Sequence, residues 1–427
     1  MLKKWIKAGT VYWNRRMLTM IGLGFSSGFP LLLVFGTFNL WLLDAGISLK
    51  TIGLLSLVKI PYSFKWVWAP LMDRGCLPLF SKLGRRRGWA LFWQVMLVAG
   101  IWGMALTDPS QNLRAIVIWA VVVVFSSASQ DIVLDAFRVE SFRDNEQGAG
   151  AAMFVTGYRL GSIFSGAAAL YLAYWFSWEM TYKIMSLGAV VGMVTILLSK
   201  EPEKDKGYCQ EPFSWRGTLN GIAAFFKKDV YSPFSDFMKR ANWALILVFI
   251  FLYRMSDAYM APMANVFYVD MGFSKAEIAS VSKIFGIVAT IGGGIVGGLL
   301  VRRWGIVKAL FVCGVLQGLS NLMFVAQAYA GHNIYMLVLT ISIENISGGM
   351  GSIAFVAYIS SLCNVAYTAT QYALLSSLMS FARDVFASSS GWLSSLVGWS
   401  SFFLITTLMA VPGLAVLAYL QRRPEKA

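Results

Sequence analysis

The sequence predicts an all-α polytopic membrane protein, and three observations lead to that prediction. Of the 427 residues, 57% are hydrophobic and only 13% are charged, and the mean hydropathy is +0.63. A soluble chain of this size could not bury that much apolar surface in one or two cores. Apolar runs of about 20 residues recur along the chain, which is the length that a helix needs to cross a bilayer. The alternating pattern of a transmembrane β-barrel does not occur in the sequence.

Twelve apolar runs are expected to be transmembrane helices. In chain order they are 17–43, 51–72, 89–107, 115–137, 148–174, 182–199, 242–269, 276–301, 306–329, 334–361, 369–396 and 400–420. No cleavable leader is expected, because the first run is too long for a signal-peptide core. The distribution of Lys and Arg sets the orientation. With the N-terminus in the cytoplasm, 26 of the 36 basic residues are cytoplasmic and only 4 lie on the other side, so both termini are expected to be cytoplasmic.

A long polar segment divides the predicted spans into two sets of six. The expected organisation is an N-terminal six-helix bundle, a cytoplasmic linker and a C-terminal six-helix bundle, at residues 1–199, 200–241 and 242–427. Prolines in the linker argue against one continuous helix there. Two shorter stretches of the linker, 214–228 and 231–241, are expected to lie as amphipathic helices on the membrane surface.

Short motifs repeat between the two sets of spans at an almost constant distance along the chain. The Asp-x-Gly motif at 44–46 ends the first span, and it recurs at 270–272 after the seventh. Arg159 in the fifth span matches Arg383 in the eleventh. Such matches in equivalent helices predict two pseudo-symmetric halves that arose by duplication. Two six-helix halves joined by a cytoplasmic loop are the plan of the major facilitator superfamily, so we expect that fold.

The loop between the second and third spans resembles the loop signature of that superfamily. Its charged residues, with those of the equivalent loop in the second half, are Asp73, Arg74, Arg85, Arg86, Arg87, Arg302 and Arg303, which we call the gating residues. A carboxylate and several guanidiniums at helix ends can bond across the two halves in one state and release in another. The alternative is that the arginines only enforce topology. Asp73 favours the gating role, because a positive-inside signal needs no carboxylate.

Ionisable side chains inside the predicted spans point to function, because each costs about 2.5–3.5 kcal/mol to insert into a bilayer. Asp131 and Asp135 lie four residues apart in the fourth span and therefore share one helix face. Two neighbouring carboxylates repel each other in a low dielectric, so one of them is suited to carry a proton. With Glu344 of the tenth span, they are the candidate proton-coupling residues. The alternative pairs each aspartate with a structural cation such as Arg138 or Lys65.

Seven polar residues at membrane depth are expected to bind the substrate: Gln130, Tyr158, Arg159, Lys59, Lys65, Asn345 and Arg383. Arg159 and Arg383 occupy matched places in the two halves, and two guanidiniums that face one cavity would suit carboxylates. The alternative for this pair is helix packing, with Asp384 as a partner. Arg254 and Asp257, three residues apart in the seventh span, are expected to neutralise each other as a structural pair.

The composition also argues against several function classes. The sequence has one histidine and four scattered cysteines, so we expect no metal site, no cofactor and no enzyme activity. A membrane enzyme would need a nucleophile or a metal constellation, and a sensor of the same fold usually has an added soluble domain; the sequence contains neither. The net charge of +15 lies mostly in short loops, where it indicates membrane topology and not nucleic-acid binding.

Five longer motifs carry a more specific resemblance. They lie at residues 84–89, 127–136, 148–161, 344–351 and 369–376, and together they resemble the AmpG family of muropeptide permeases. The resemblance extends over all twelve predicted spans. It implies a proton-coupled importer in the bacterial inner membrane, whose cargo is N-acetylglucosamine–anhydro-N-acetylmuramic acid peptides from cell-wall recycling. The family is also linked to β-lactamase induction, and hence to antibiotic resistance.

The resemblance leaves the cargo open. Some family members carry extra C-terminal helices, whereas this chain ends shortly after the twelfth predicted span. Related branches carry siderophores and eukaryotic relatives carry acetyl-CoA, so another anionic cargo is the alternative. The expected partners are a small sugar-peptide, protons and the lipid bilayer, with no nucleic acid. The protein is expected to act as a monomer.

Overall fold

The computed structural model describes residues 10–48, 51–52, 55–74, 77–202 and 231–422. These residues are mostly helical and contain no β-strand, which confirms the predicted all-α class. In the same part of the chain, nine helical segments are long and apolar enough to cross a membrane. The amphipathic helix predicted at 214–228 lies outside the described residues.

Six helical segments, α1 to α6, precede the polar linker. Their bounds are Arg15–Asp44 (α1), 56–74 (α2), Arg85–Ala105 (α3), Leu113–Ser141 (α4), 147–175 (α5) and Trp178–Leu198 (α6). They overlap the first six predicted spans, with ends that differ by a few residues. α2 is broken into short helical turns because Pro61 and Pro70 each lack the backbone N–H that a continuous helix needs.

Six further segments, α7 to α12, follow the short helix Tyr231–Met238, which lies within the predicted amphipathic stretch 231–241. Their bounds are Trp243–Asp270 (α7), 275–304 (α8), Ile306–Ala330 (α9), Ile334–Ser361 (α10), 368–397 (α11) and 399–422 (α12). Gly398 separates α11 from α12, since its φ of +69° is one that glycine adopts without strain. The segments overlap the last six predicted spans, and the number of twelve membrane crossings stays a prediction.

α1 and α7 end in the same turn, at the two copies of the sequence repeat. Each turn contains a glycine with positive φ, of +78° after α1 and +84° after α7. The carboxylate that ends each helix accepts a hydrogen bond from an indole at the start of the last helix of its own half. Trp178 Nε1 donates to Asp44 Oδ2, and Trp399 Nε1 donates to Asp270 Oδ2. The two halves of the chain therefore join their first and last helices in the same way.

Glycines allow α1 and α5 to approach until their backbones touch. Gly24 and Gly28 of α1 face backbone carbonyl groups of α5, and Gly157 and Gly161 of α5 face those of α1 in return. A Cβ atom at any of these positions would overlap a carbonyl oxygen of the neighbouring helix. Small residues spaced four apart are a common way to pack membrane helices closely.

The two halves of the chain meet at one end of the bundle. We call it the basic end, because α2 ends and α3 begins there among the arginines of the gating residues. Gly148 at the start of α5 packs against Val301 of α8, and Gly298 of α8 packs against the carbonyl oxygen of Gly148. Tyr12 Oη donates to the carbonyl oxygen of Ile295 at 2.8 Å. These contacts close the basic end of the bundle.

We expect Gly28→Ala to lower the free energy of unfolding by about 1–3 kcal/mol, the usual cost of overpacking. The new methyl group would overlap the carbonyl oxygen of Tyr158, and α1 and α5 would have to separate. Thermal unfolding in detergent measures the effect. Gly292→Ala is the control, because no atom lies within 4 Å of a Cβ placed there. A melting temperature of Gly28→Ala equal to that of the parent would contradict the close packing of α1 on α5.

Candidate functional site

A cavity of about 510 Å³ lies between the two halves of the chain. α1, α4 and α5 line it from the N-terminal half, and α8, α10 and α11 line it from the C-terminal half. Most of its wall is apolar, and its main polar residues are Asp135, Arg138, Tyr158, Arg159, Ser352 and Tyr372. An apolar cavity of several hundred Å³ with a few convergent polar groups is typical of a small-molecule binding site.

Arg159 of α5 places a partly buried guanidinium at the cavity wall. Within the described ranges it has no hydrogen bond or ion pair to a protein group. Its electrostatic neighbours are Tyr158, Arg254 and Glu344, none of which lies within ion-pair distance. A cation that is partly removed from water and lacks a partner favours the binding of an anion.

Arg383 is the matched arginine of the second half, and it does not line the cavity. Its charge and that of Arg159 both act on Tyr158, which does line it. Arg383 is also 3.5 Å from Asp384, measured from Nε to Oδ1, and both side chains are more than half exposed. The contact expected under the packing alternative is therefore present as well, although it is too exposed to contribute much stability.

Asp131 of α4 lies in a polar cluster within the N-terminal half. Ser27 of α1 donates its hydroxyl proton to Asp131 Oδ1 at 2.6 Å. The charged groups that act on this carboxylate are Lys65 of α2, which is buried, and Asp135. Asp131 therefore has a hydrogen-bond donor and a nearby cation, either of which would stabilise its ionised form.

Asp135 and Arg138 form an ion pair where the two halves meet. Arg138 Nη2 lies 3.5 Å from Asp135 Oδ1; the arginine side chain is completely buried, whereas the aspartate keeps 16% of its surface. Arg138 Nη1 donates to Ser360 Oγ of α10 at 3.0 Å. Its guanidinium carbon lies 5.1 Å from the centre of the Tyr372 ring of α11. Arg138 thus connects an acid of one half to two helices of the other.

Glu344 of α10 lies apart from the acids of α4, within the C-terminal half. Asn345 Nδ2 donates to Glu344 Oε2 at 2.7 Å, and the neighbouring charges include Arg254 and Asp257. Arg254 and Asp257 themselves form an ion pair, with 2.6 Å between Nη2 and Oδ2. Arg254 Nη1 also donates to a serine of α10 at 2.9 Å, so this pair packs α7 against α10.

Five of the seven predicted substrate residues lie outside the lining of this cavity: Gln130, Asn345, Lys59, Lys65 and Arg383. Gln130 is fully buried and donates to a backbone carbonyl of α1 at 2.9 Å. Asn345 accepts a hydrogen bond from Thr290 Oγ1 at 2.7 Å and so packs α10 on α8. Lys59 is exposed, with its ammonium group 4.7 Å from the centre of the Phe35 ring. A polar residue in an apolar span has the same sequence signal whether it packs helices or binds a ligand.

Asp73, at the end of α2, joins the two halves at the basic end. Its Oδ1 accepts from the backbone N–H of Ala369 at 3.1 Å. Its Oδ2 accepts from the backbone N–H and the hydroxyl of Thr370, at 2.8 and 2.7 Å. These N–H groups belong to the first turn of α11, where no helical carbonyl can satisfy them. A carboxylate of one half therefore caps a helix of the other and interacts favourably with its dipole.

Two buried arginines and a buried glutamate hold Asp73 in place. Arg86 Nη2 lies 2.7 Å from Asp73 Oδ1 and 2.6 Å from Glu140 Oε1. Arg85 lies 3.7 Å from Glu140 and donates to the backbone carbonyl oxygen of Asp73. Glu140 is not among the site residues that the sequence predicts. The only signal for it was an acidic residue at the end of an apolar span, next to a strongly basic loop.

The other gating residues lie at the same end of the bundle. Arg87 donates to two backbone carbonyl oxygens at the end of α6. Arg302 and Arg303 occupy the last turn of α8 and are partly buried. The side chain of Arg74 lies outside the described part of the structure. Among the described residues, no group of three or more His, Cys, Asp or Glu is placed to hold a metal ion.

Comparison with known proteins identifies the class of fold. The family model of the Major Facilitator Superfamily matches residues 20–383 and 246–427. The human organic anion transporter MFSD10 (TETRAN) has a TM-score of 0.64 at 14% identity, over 97% of this chain and 99% of its own. The proton:xylose symporter XylE, bound to 6-bromo-6-deoxy-D-glucose, has a TM-score of 0.65 at 10% identity, over 99% and 97%. Such identities show the fold alone, and it is the predicted one, that of a major facilitator membrane transporter.

Closer relatives identify the branch within that class. The chain is 39% identical over 409 residues to the anhydromuropeptide permease of Escherichia coli (strain K12), which covers 95% of this chain and 80% of that one. It is 33% identical over 417 residues to the putative transporter AmpG 4 of Rickettsia conorii, over 97% and 98%. The chain belongs to the AmpG-type permease family of the major facilitator superfamily, as its motifs predict.

We expect Glu140→Gln to lower the free energy of unfolding by about 3–5 kcal/mol, because it leaves the buried guanidinium of Arg86 without its main counter-ion. Thermal unfolding of the detergent-solubilised protein measures the loss. Asp384→Asn is the matched control, since it breaks an ion pair that is mostly exposed and should change stability little. The arrangement described here is wrong if the two variants lose the same stability.

Proposed function

We propose that this protein imports anhydromuropeptides across the bacterial inner membrane together with protons, by alternating access of its two halves. One observation carries the proposal: the cavity between the halves exposes the guanidinium of Arg159, which has no ion-pair partner among the described residues. The charge of Arg383 acts on the neighbouring Tyr158 as well. The E. coli relative is named for this cargo, and the two chains match over almost the whole of this one.

The cavity has the chemistry that a sugar-peptide needs. Muropeptides carry several carboxylates, and guanidiniums bind carboxylates through two parallel hydrogen bonds. The ring of Tyr158 and the side chain of Phe154 also face the cavity, and aromatic faces pack well against the apolar faces of sugar rings. Lys65 acts on Asp131 in the neighbouring cluster, so its role fits proton coupling better than direct binding.

Proton coupling is supported by the position of the acids. Asp131 and Asp135 each lie at membrane depth beside a cation, Lys65 or Arg138, and Glu344 lies near Arg159. A carboxylate that gains a proton loses its attraction for the nearby cation, which can then move. A proton that moves inward supplies about 2.3 kcal/mol per 100 mV of membrane potential.

The gating residues would control access from the basic end. While Asp73 caps α11, the two halves are held together at the basic end. Release of this carboxylate would allow the halves to separate at the basic end. We place the basic end and both termini in the cytoplasm, where a cargo released from the cavity would arrive, and we take the monomer as the transporting unit.

Uptake of labelled anhydromuropeptide into energised inverted or right-side-out vesicles tests the proposed function. We expect accumulation against the gradient in the inward direction only, and its loss when a protonophore is added. Carboxylated siderophore and acetyl-CoA serve as competitors, because they represent the alternative anionic cargoes. Uptake that persists with the protonophore would contradict the proposal. The proposal would also be contradicted if either competitor abolished uptake at a lower concentration than unlabelled muropeptide does.

We expect Arg159→Ala and Arg383→Ala to raise the apparent Michaelis constant for uptake about 10-fold or more, since a hydrogen bond to a charged group contributes roughly 1.5–3 kcal/mol. Membrane-inserted protein should stay near the parental amount. Arg254→Ala is the control, because it removes a guanidinium that is already paired with Asp257. Loss of inserted protein in both Arg159 and Arg383 variants would favour the packing alternative.

Asp131→Asn and Asp135→Asn separate the proton carrier from a structural acid. Asparagine keeps the size and hydrogen bonding of aspartate but cannot cycle a proton. The variant at the proton carrier should still exchange labelled for unlabelled substrate across the membrane, because exchange needs no net proton movement, but it should fail to concentrate substrate. If both variants accumulate substrate as well as the parent does, α4 is not the proton site and Glu344 becomes the candidate.

A further inference from the structure

We propose that Arg138 is a positioning residue that couples the charge of Asp135 to the closure of the basic end. The inference rests on the proposed transport function and adds to it a physical link between the proton site and the gate. From the sequence alone, Arg138 is expected only as a structural partner for an acid. In the fold, Arg138 also contacts the other half of the chain, so its role extends beyond that pairing.

Arg138 is the point at which four helices from both halves meet. Its guanidinium contacts Asp135 of its own helix, and it lies 5.9 Å from the centre of the Phe154 ring of α5. From the other half, Ser360 of α10 accepts its hydrogen bond at 3.0 Å, and the Tyr372 ring of α11 lies 5.1 Å away. The Ser360 hydrogen bond spans the interface that must separate if the basic end opens.

Asp135 and Arg138 differ in their access to the cavity. The Asp135 side chain keeps 16% of its surface, and it lines the cavity where a proton or a ligand can reach it. The Arg138 side chain lies at the cavity wall but has no exposed surface in this state. A proton that arrives in the cavity therefore acts on Asp135, the carboxylate paired with Arg138.

Asp135 is the counter-ion of the buried guanidinium. The titratable groups that face Asp135 or Arg138 come from α4, α5, α11 and the turn between α10 and α11: Asp131, Tyr158, Tyr372 and Cys363. In the described part of the chain, Asp135 is the one carboxylate within ion-pair distance of Arg138. A buried arginine that loses its single carboxylate is strongly disfavoured where it is.

The direction of the coupling follows from these charges. When Asp135 is ionised, the guanidinium is held at the interface and the basic end stays closed. When Asp135 takes a proton from the cavity, the guanidinium loses its counter-ion and favours water over its buried position. Its bond to Ser360 and its contact with Tyr372 then break, and the basic end opens more readily. Proton entry from the cavity thus promotes release at the basic end, as inward symport requires.

The C-terminal half contains a matched pair that serves as a control. Arg254 is paired with an aspartate three residues away, and it also donates to Ser352, a serine of α10, at 2.9 Å. The chemistry is that of Arg138 with Asp135 and Ser360, but all of its groups lie within one half. Breaking this pair should leave the interface between the halves unchanged.

The test measures the distance across the basic end by pulsed electron paramagnetic resonance, without substrate. Spin labels at Asn145 and Trp304, exposed residues of opposite halves, report on opening in a background without the native cysteines. In the parent, we expect acidification to shift the distribution towards longer distances. Asp135→Asn should show the longer distances at every pH. Arg138→Gln should raise the ratio of open to closed molecules about 10-fold, the effect of one charge-assisted hydrogen bond, and remove the pH dependence.

A double variant distinguishes coupling from independent effects. Asp135→Asn should add nothing in the Arg138→Gln background, and Arg254→Gln should keep the parental pH dependence. Ser360→Ala removes only the acceptor and should shift the same ratio in the same direction, which provides the test if Arg138→Gln does not insert. Additive effects of Asp135→Asn and Arg138→Gln, or a parental distribution in Ser360→Ala, would overturn the proposal. Because no substrate is used, failure of muropeptide uptake would leave this result intact.

Discussion

The contact between Asp73 and the start of α11 is the interaction on which the closed basic end depends. A helix begins with N–H groups that have no partner inside the helix, and in this protein a carboxylate from the other half of the chain satisfies two of them. The carboxylate is held from behind by Arg86, which Glu140 fixes in turn. Every charge in this chain of contacts is buried and paired, so the halves can separate only if a bond to a charged group is broken.

The cavity follows from that closure, and its charges explain its chemistry. The halves touch at the basic end through glycines and the Asp73 contact, and nearer the middle of the bundle they enclose space. Arg138 lies between the two regions, with Asp135 on its cavity side and Ser360 on its interface side. Arg159, by contrast, remains available to a ligand. The site therefore combines one guanidinium that binds across the interface with another that is free to bind an anion.

The sequence predicted the all-α class, the major facilitator fold and the approximate extent of the helical segments, because the length of an apolar run is a direct consequence of the bilayer. Asp131 could be selected as a candidate site residue from the sequence, since a charge at membrane depth is costly. The contacts of Glu140 and Ser360 could not be predicted, because acids and serines are ordinary residues at helix ends and only tertiary packing gives them partners. Gln130 and Asn345 show another limit, because a polar residue that bonds to a neighbouring helix gives the same sequence signal as one that binds a ligand.

Asp73→Asn tests most directly whether a carboxylate of one half keeps the basic end closed. Asparagine keeps the size of the side chain but removes its charge, and with it the ion pair to Arg86 and the attraction to the α11 dipole. The measurement is the substrate-free distance across the basic end. The account predicts a shift towards open molecules in Asp73→Asn at every pH, with the helical content of the parent retained. A distance distribution identical to that of the parent would contradict it.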